Sequence, residues 1–93
     1  MTVATLRLNL RLGHCHTPRE TRRRMRAIMD KIHRYFNVSV AAEDDDHDPS
    51  LATLAVVAVA RTRREVRELL DRVADAVAAY PRAELLSHDI TEV

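Results

Sequence analysis

The sequence predicts an α+β sandwich with element order βαββαβ, and three observations predict it. Short segments at the start, centre and end of the chain alternate apolar with polar residues, the period of a half-buried strand. Two longer segments repeat apolar residues every three or four positions, and each opens on a helix-capping sequence. The length, 93 residues, falls at the lower end of the roughly 100 to 200 residues of one domain, so residues 1–93 are expected to share one core.

The first strand is read at Leu6, Leu8, Leu10 and Leu12, which alternate with Arg7, Asn9 and Arg11. The only glycine, Gly13, ends it. Thr17-Pro18-Arg19-Glu20 then supplies a capping hydroxyl, a proline at the first helical position and a glutamate at the third. Met25, Ile28, Met29, Ile32 and Phe36 fall on one face, so a first helix is predicted from about Pro18 to Tyr35. Asn37 to Ala42 alternates again and predicts a second strand, broken by the acidic run from Glu43 to Asp48. After Pro49-Ser50, an Ala- and Val-rich third strand closes a hairpin with the second.

Thr62-Arg63-Arg64-Glu65 repeats the capping logic, with Val66, Leu69, Leu70, Val73 and Val77 as the buried face of a second helix to about Tyr80. Pro81 stops it. The segment from Leu86 to Val93 supplies a fourth strand, although His88 interrupts its apolar face. Right-handed crossovers in this order place both helices on one face of a four-stranded antiparallel sheet, the ferredoxin-like arrangement. The opposite face is left open. Arg7, Asn9 and Arg11 are expected there beside Thr53, Ala55, Val57 and Val59.

Composition narrows the function classes. The apolar share is 46%, enough for a core without a structural metal or cofactor. The net charge of +1 gives no overall nucleic-acid or membrane signal. One cysteine, Cys15, excludes an internal disulfide framework and suits a reducing, cytoplasmic compartment. The opening residues alternate at once, so no signal peptide is expected, and the apolar run from Leu54 to Ala60 is far short of a membrane span. A domain this small leaves apolar surface uncovered, which favours a homo-oligomer, a dimer first of all.

Phe36-Asn37-Val38-Ser39-Val40-Ala41, Ala52-Thr53-Leu54 and the basic start of the first helix resemble the YlxP-like bacterial domains of unknown function. The resemblance spans essentially the whole chain. It implies a ferredoxin-like fold, a bacterial cytoplasmic setting and a gene neighbourhood among transcription and translation factors, and it implies no known activity. Where such domains usually open the first helix with Ser-Leu-Lys-acidic-Lys-Arg, this chain has Thr17-Pro18-Arg19-Glu20-Thr21-Arg22, followed by Arg23. Pro18 stands for a leucine, Thr21 for a lysine, and Pro49 where an aromatic residue is frequent.

The strongest charge asymmetry lies between Arg19 and Arg34, with seven basic residues against two acidic ones. Arg19, Arg22, Arg23 and Arg26 are expected on the solvent side of the first helix. The first three lie near its positive end, where backbone amides favour a phosphate. Two readings stand side by side: a phosphate or RNA site, or charge matching with Glu43, Asp44, Asp45, Asp46 and Asp48. The chain has one Phe, two Tyr and no Trp, all three aromatics at the helices, so a base-stacking sheet is not expected.

His14-Cys15-His16 gathers possible metal ligands in one loop, but the paired spacings of structural zinc motifs are absent, and no metal is expected. No set of residues presents a nucleophile with an assured base, so no catalytic residue and no enzymatic activity are expected. With the translational setting that the resemblance implies, the expected partner is ribosomal RNA or a ribosome-associated protein, met by Arg19, Arg22, Arg23 and Arg26. The alternative is self-association through the open sheet face at Arg7, Asn9, Ala55, Val57 and Val59.

Overall fold

Alternation continues upstream of the expected start of the first strand: Ala4 is as fully buried as Leu6, so β1 runs Thr2–Arg11. The computed structural model describes residues 1–45 and 47–93, without the side chain of Asp44. The order is β1, α1 (Pro18–Tyr35), β2 (Ser39–Asp44), β3 (Leu51–Ala60), α2 (Arg63–Ala78) and β4 (Glu84–Glu92). The strands form one antiparallel sheet in the order β2-β3-β1-β4, the expected ferredoxin-like arrangement.

The two helix starts match their sequence signals. Thr17 Oγ1 accepts the Glu20 amide at 3.2 Å, and Thr62 Oγ1 accepts the Glu65 amide at 3.1 Å. Each satisfies one of the amides that a helix start leaves without an intrahelical partner. α1 buries Met25, Ile28 and Ile32, and α2 buries Val66, Leu70, Val73 and Val77. These faces close over Leu6, Leu8 and Leu10 of β1 and Leu54 and Val56 of β3, forming a continuous core. Cys15 belongs to that core rather than to the surface.

Two further features of the strands differ from the expectation. The acidic run does not end β2 at Ala42. Glu43 continues it opposite Thr53, and its carboxylate reaches Arg7 Nη2 of β1 at 3.2 Å across the open face. Ladder hydrogen bonds and this cross-sheet pair outweigh the weak strand preference of glutamate. In β4 the register shifts beside Asn9 and Leu10, so Leu86 is inserted between Leu85, opposite Leu10, and Ser87, opposite Asn9. This bulge leaves Leu86 exposed and turns His88 to the helix side opposite Leu8, which accounts for the interrupted alternation.

The C-terminal end of the sheet is tied to α2 through Glu92. Its carboxylate meets Arg67 Nε at 3.2 Å and also pairs with Arg63. Partial desolvation pushes its pKa up, but hydrogen bonds and charge from the two arginines hold it below the ordinary glutamate value. A carboxylate whose folded pKa is depressed contributes stability above its unfolded pKa and loses that contribution as pH falls through the folded value. Thermal melts from neutral pH downward should therefore show Glu92→Gln approaching the native protein as pH drops below the ordinary carboxylate range. A constant gap between the two would contradict the linkage.

Candidate functional site

The first turn of α1 holds its own anion. Pro18 has no amide hydrogen, the Glu20 amide goes to Thr17 Oγ1, and the Thr21 amide goes to the Thr17 carbonyl at 3.1 Å. Glu20 Oε1 turns back to accept Thr17 Oγ1 at 3.0 Å and the His16 amide at 3.4 Å. The Glu20 carboxylate thus lies at the helix start, as the capping sequence leads one to expect.

Exposed arginine side chains of α1 form a stripe. Arg19, Arg23 and Arg26 are exposed on the face opposite Met25, Ile28 and Ile32, spread along about 10 Å of helix at about 1.5 Å per residue. Among the described residues, none of these three has a carboxylate within ion-pair distance. Arg22 is also exposed, but it has a contact of its own, and it borders a groove with Met25, Arg26, Met29 and β2. Arg24 belongs to another role. Its guanidinium turns away and donates to the carbonyls of Gly13 and, at 3.2 Å, Arg82, joining the β1–α1 and α2–β4 connections.

The acidic residues beside the stripe are largely occupied. Asp45 Oδ1 accepts the His47 amide at 2.8 Å and the Asp48 amide at 3.2 Å. Asp48 Oδ1 accepts both the Ser50 hydroxyl at 2.6 Å and the Ser50 amide at 2.9 Å. The hydroxyl, then the amide, holds the Asp48 carboxyl below the ordinary aspartate value despite some desolvation. Glu43 is turned to Arg7 on the open face. Among the described residues, the loop reaches α1 through the Thr21 hydroxyl donating to the Pro49 carbonyl. Asp46 and the side chain of Asp44, both in the expected acidic run, lie outside the described residues.

The open face carries the other candidate residues where the alternation places them. Arg7 lies opposite Ala55, Asn9 opposite Thr53, Thr5 opposite Val57 and Val3 opposite Val59. A polar strip runs across its middle: Arg7 to Glu43, Thr53 Oγ1 to Asn9 Oδ1 at 3.0 Å, and Asn9 Nδ2 to Ser87 Oγ at 2.9 Å. At one end Val3, Val57 and Val59 remain exposed together. His14 and His16 are exposed while Cys15 is buried, so the three loop residues do not converge on a common point. His14 takes a left-handed backbone, φ 64°, as the chain turns from β1 toward α1.

Residues 3–90, nearly the whole sandwich and both candidate faces, match the family described as Protein of unknown function (DUF503). The chain belongs to that family. The DUF503 match begins in β1 and ends within β4, so it takes in every element of the fold. No curated protein matches the chain. No helix of the described residues is long and apolar enough to cross a membrane.

Proposed function

We propose that this DUF503 protein is a non-enzymatic binding module that engages structured RNA of the ribosome, or a ribosome-associated surface, through Arg19, Arg22, Arg23 and Arg26 on the exposed face of α1. One observation carries the reading: among the described residues Arg19, Arg23 and Arg26 stand exposed with no carboxylate within ion-pair distance, while Asp45 and Asp48 are held by amides and a hydroxyl and Glu43 by Arg7. Arginine in a row of this kind contacts phosphates by charge and planar hydrogen bonding. Base-specific reading is not part of the proposal, because the sheet carries no Phe, Tyr or Trp on which bases could stack. The finer resemblance to YlxP-like domains, with its translational gene neighbourhood, supports the ribosome as the source of that RNA and the bacterial cytoplasm as the setting.

The reading is tested by co-sedimentation of the native protein and an Arg19/Arg23/Arg26→Ala variant with ribosomal subunits at two salt concentrations. Salt-sensitive binding that the variant loses supports it; equal binding by both proteins, or none by either, overturns it.

A second reading rests on the exposed valines of the open face. Val3, Val57 and Val59 are contiguous, β-branched and unpaired with any helix, a surface suited to a second copy of the chain. Arg7, Asn9 and Ala55 would border that contact. If the face is the contact of a homodimer, Val57→Glu places a charge at its centre and should convert the dimer to monomer by light scattering. A dimer that survives this substitution excludes the valine face as its interface.

A further inference from the structure

The chain contains only three aromatic residues, two Tyr and one Phe, and all three line one cleft between the helices. α1 and α2 touch at few points, and the space between them opens toward the end of α1. Tyr35 and Phe36 come from the last turn and C-cap of α1, and Tyr80 follows α2. Ile28, Ile32 and Val77 form the apolar floor. The cleft measures about 250 Å³, and among the described residues Lys31 is the only charged one in its wall.

Core packing accounts for this convergence only in part: Phe36 and Tyr80 pack against the core, whereas Tyr35 does not. Tyr35 is 66% exposed, and Phe36 and Tyr80 are half-buried. The core itself is built from Leu, Val, Ile, Ala and Met, with Cys15. Lys31 Nζ stands 5.3 Å from the Tyr80 ring centroid and forms no ion pair among the described residues. A ring face only partly offsets an ammonium charge at an exposed site. We infer that the cleft between α1 and α2 is a binding site for a small planar aromatic molecule bearing one carboxylate, its rings among Tyr35, Phe36 and Tyr80 and its anion on Lys31.

The chemistry of the walls selects this class. Aromatic rings favour offset or edge-to-face contact with another ring. Recognition pockets are mostly apolar, with a few placed polar groups that fix orientation. The volume lies just below the roughly 300 Å³ where drug-sized pockets begin, which limits the occupant to one or two fused rings. An ammonium at the rim adds a charge-assisted contact that a neutral analogue lacks. The site lies apart from the α1 arginine stripe and does not depend on it.

The probes are 2-naphthoate and its neutral analogue 2-naphthamide, titrated into the full chain with methyl-detected NMR. The expected result is saturable, one-to-one shifts of the Ile28, Ile32 and Val77 methyl groups. Lys31→Met should weaken 2-naphthoate about tenfold and leave 2-naphthamide unchanged. Ala76→Phe, which fills the cleft from its half-buried wall, should abolish binding of both. Shifts scattered over the surface, absence of saturation, or equal loss of both probes in Lys31→Met would overturn the inference. Cleft methyl shifts that follow protein concentration without any probe would overturn it too, by identifying a second copy of the chain as the occupant.

Discussion

Leu8→Ala is expected to destabilise the protein by about 2 to 5 kcal/mol, the range for removing a buried leucine where neighbours cannot collapse into the space. Leu8 sits on a central strand, opposite Leu54 of β3 and His88 of β4, and is completely buried. α2 packs against β1 here, and the flanking strands β3 and β4 hold Leu8 from both sides. Small domains are stable by only about 5 to 15 kcal/mol in total, so the loss is a large fraction of the whole. Arg7→Ala is the control. Its side chain lies on the opposite face in an exposed ion pair with Glu43, whose removal costs about 1 kcal/mol or less. Because a one-residue slip exchanges the two faces, the pair of substitutions tests the register of β1 directly. Urea unfolding should place Leu8→Ala far below Arg7→Ala; the reverse order would contradict the sheet described here.

Arg19/Arg23/Arg26→Ala is expected to remove most of the salt-dependent part of RNA binding while leaving stability nearly unchanged. Each phosphate neutralised contributes a slope of roughly 0.7 to 0.9 to the fall of log K with log salt. Three contacts then correspond to roughly a 20- to 40-fold loss of affinity between 50 and 200 mM salt, and the variant should lose that dependence. The fold should tolerate the change, because the three side chains are exposed and the helix is capped by Thr17 and Glu20 rather than by arginine. Thermal melts of the variant within a few degrees of the native protein would confirm that lost binding is not lost structure.

Much of this architecture was legible in local sequence chemistry. The capping boxes at Thr17 and Thr62 depend on residues three apart, and α1 runs from Pro18 to Tyr35 as its periodicity predicts. The period-two alternation of β1 placed Arg7 and Asn9 on the open face without any knowledge of its neighbours. What local chemistry misjudged depended on distant partners. Glu43 remains in β2 because Thr53 and Arg7 meet it from other strands. The bulge at Leu86 arises from pairing with Asn9 and Leu10, about 75 residues away in the chain.

The same distinction holds at the candidate site. Periodicity put Arg19, Arg22, Arg23 and Arg26 together on one face, but it could not separate Arg24, whose partners at Gly13 and Arg82 are set by two distant connections. Nor did charge counting show that Asp45 and Asp48 would be engaged by their own loop. The aromatic cleft was invisible for a related reason: Tyr35, Phe36 and Tyr80 fall into register only when α1 and α2 lie side by side.

The central claim, a phosphate-binding arginine stripe on α1, is tested most directly by the salt dependence of the native protein's affinity for ribosomal RNA. The account predicts log K falling with log salt at a slope of roughly 3 to 4 for four arginine contacts, reduced to about 1 or less in Arg19/Arg23/Arg26→Ala, which keeps Arg22. A native slope near zero, or a slope that the variant retains in full, would contradict it.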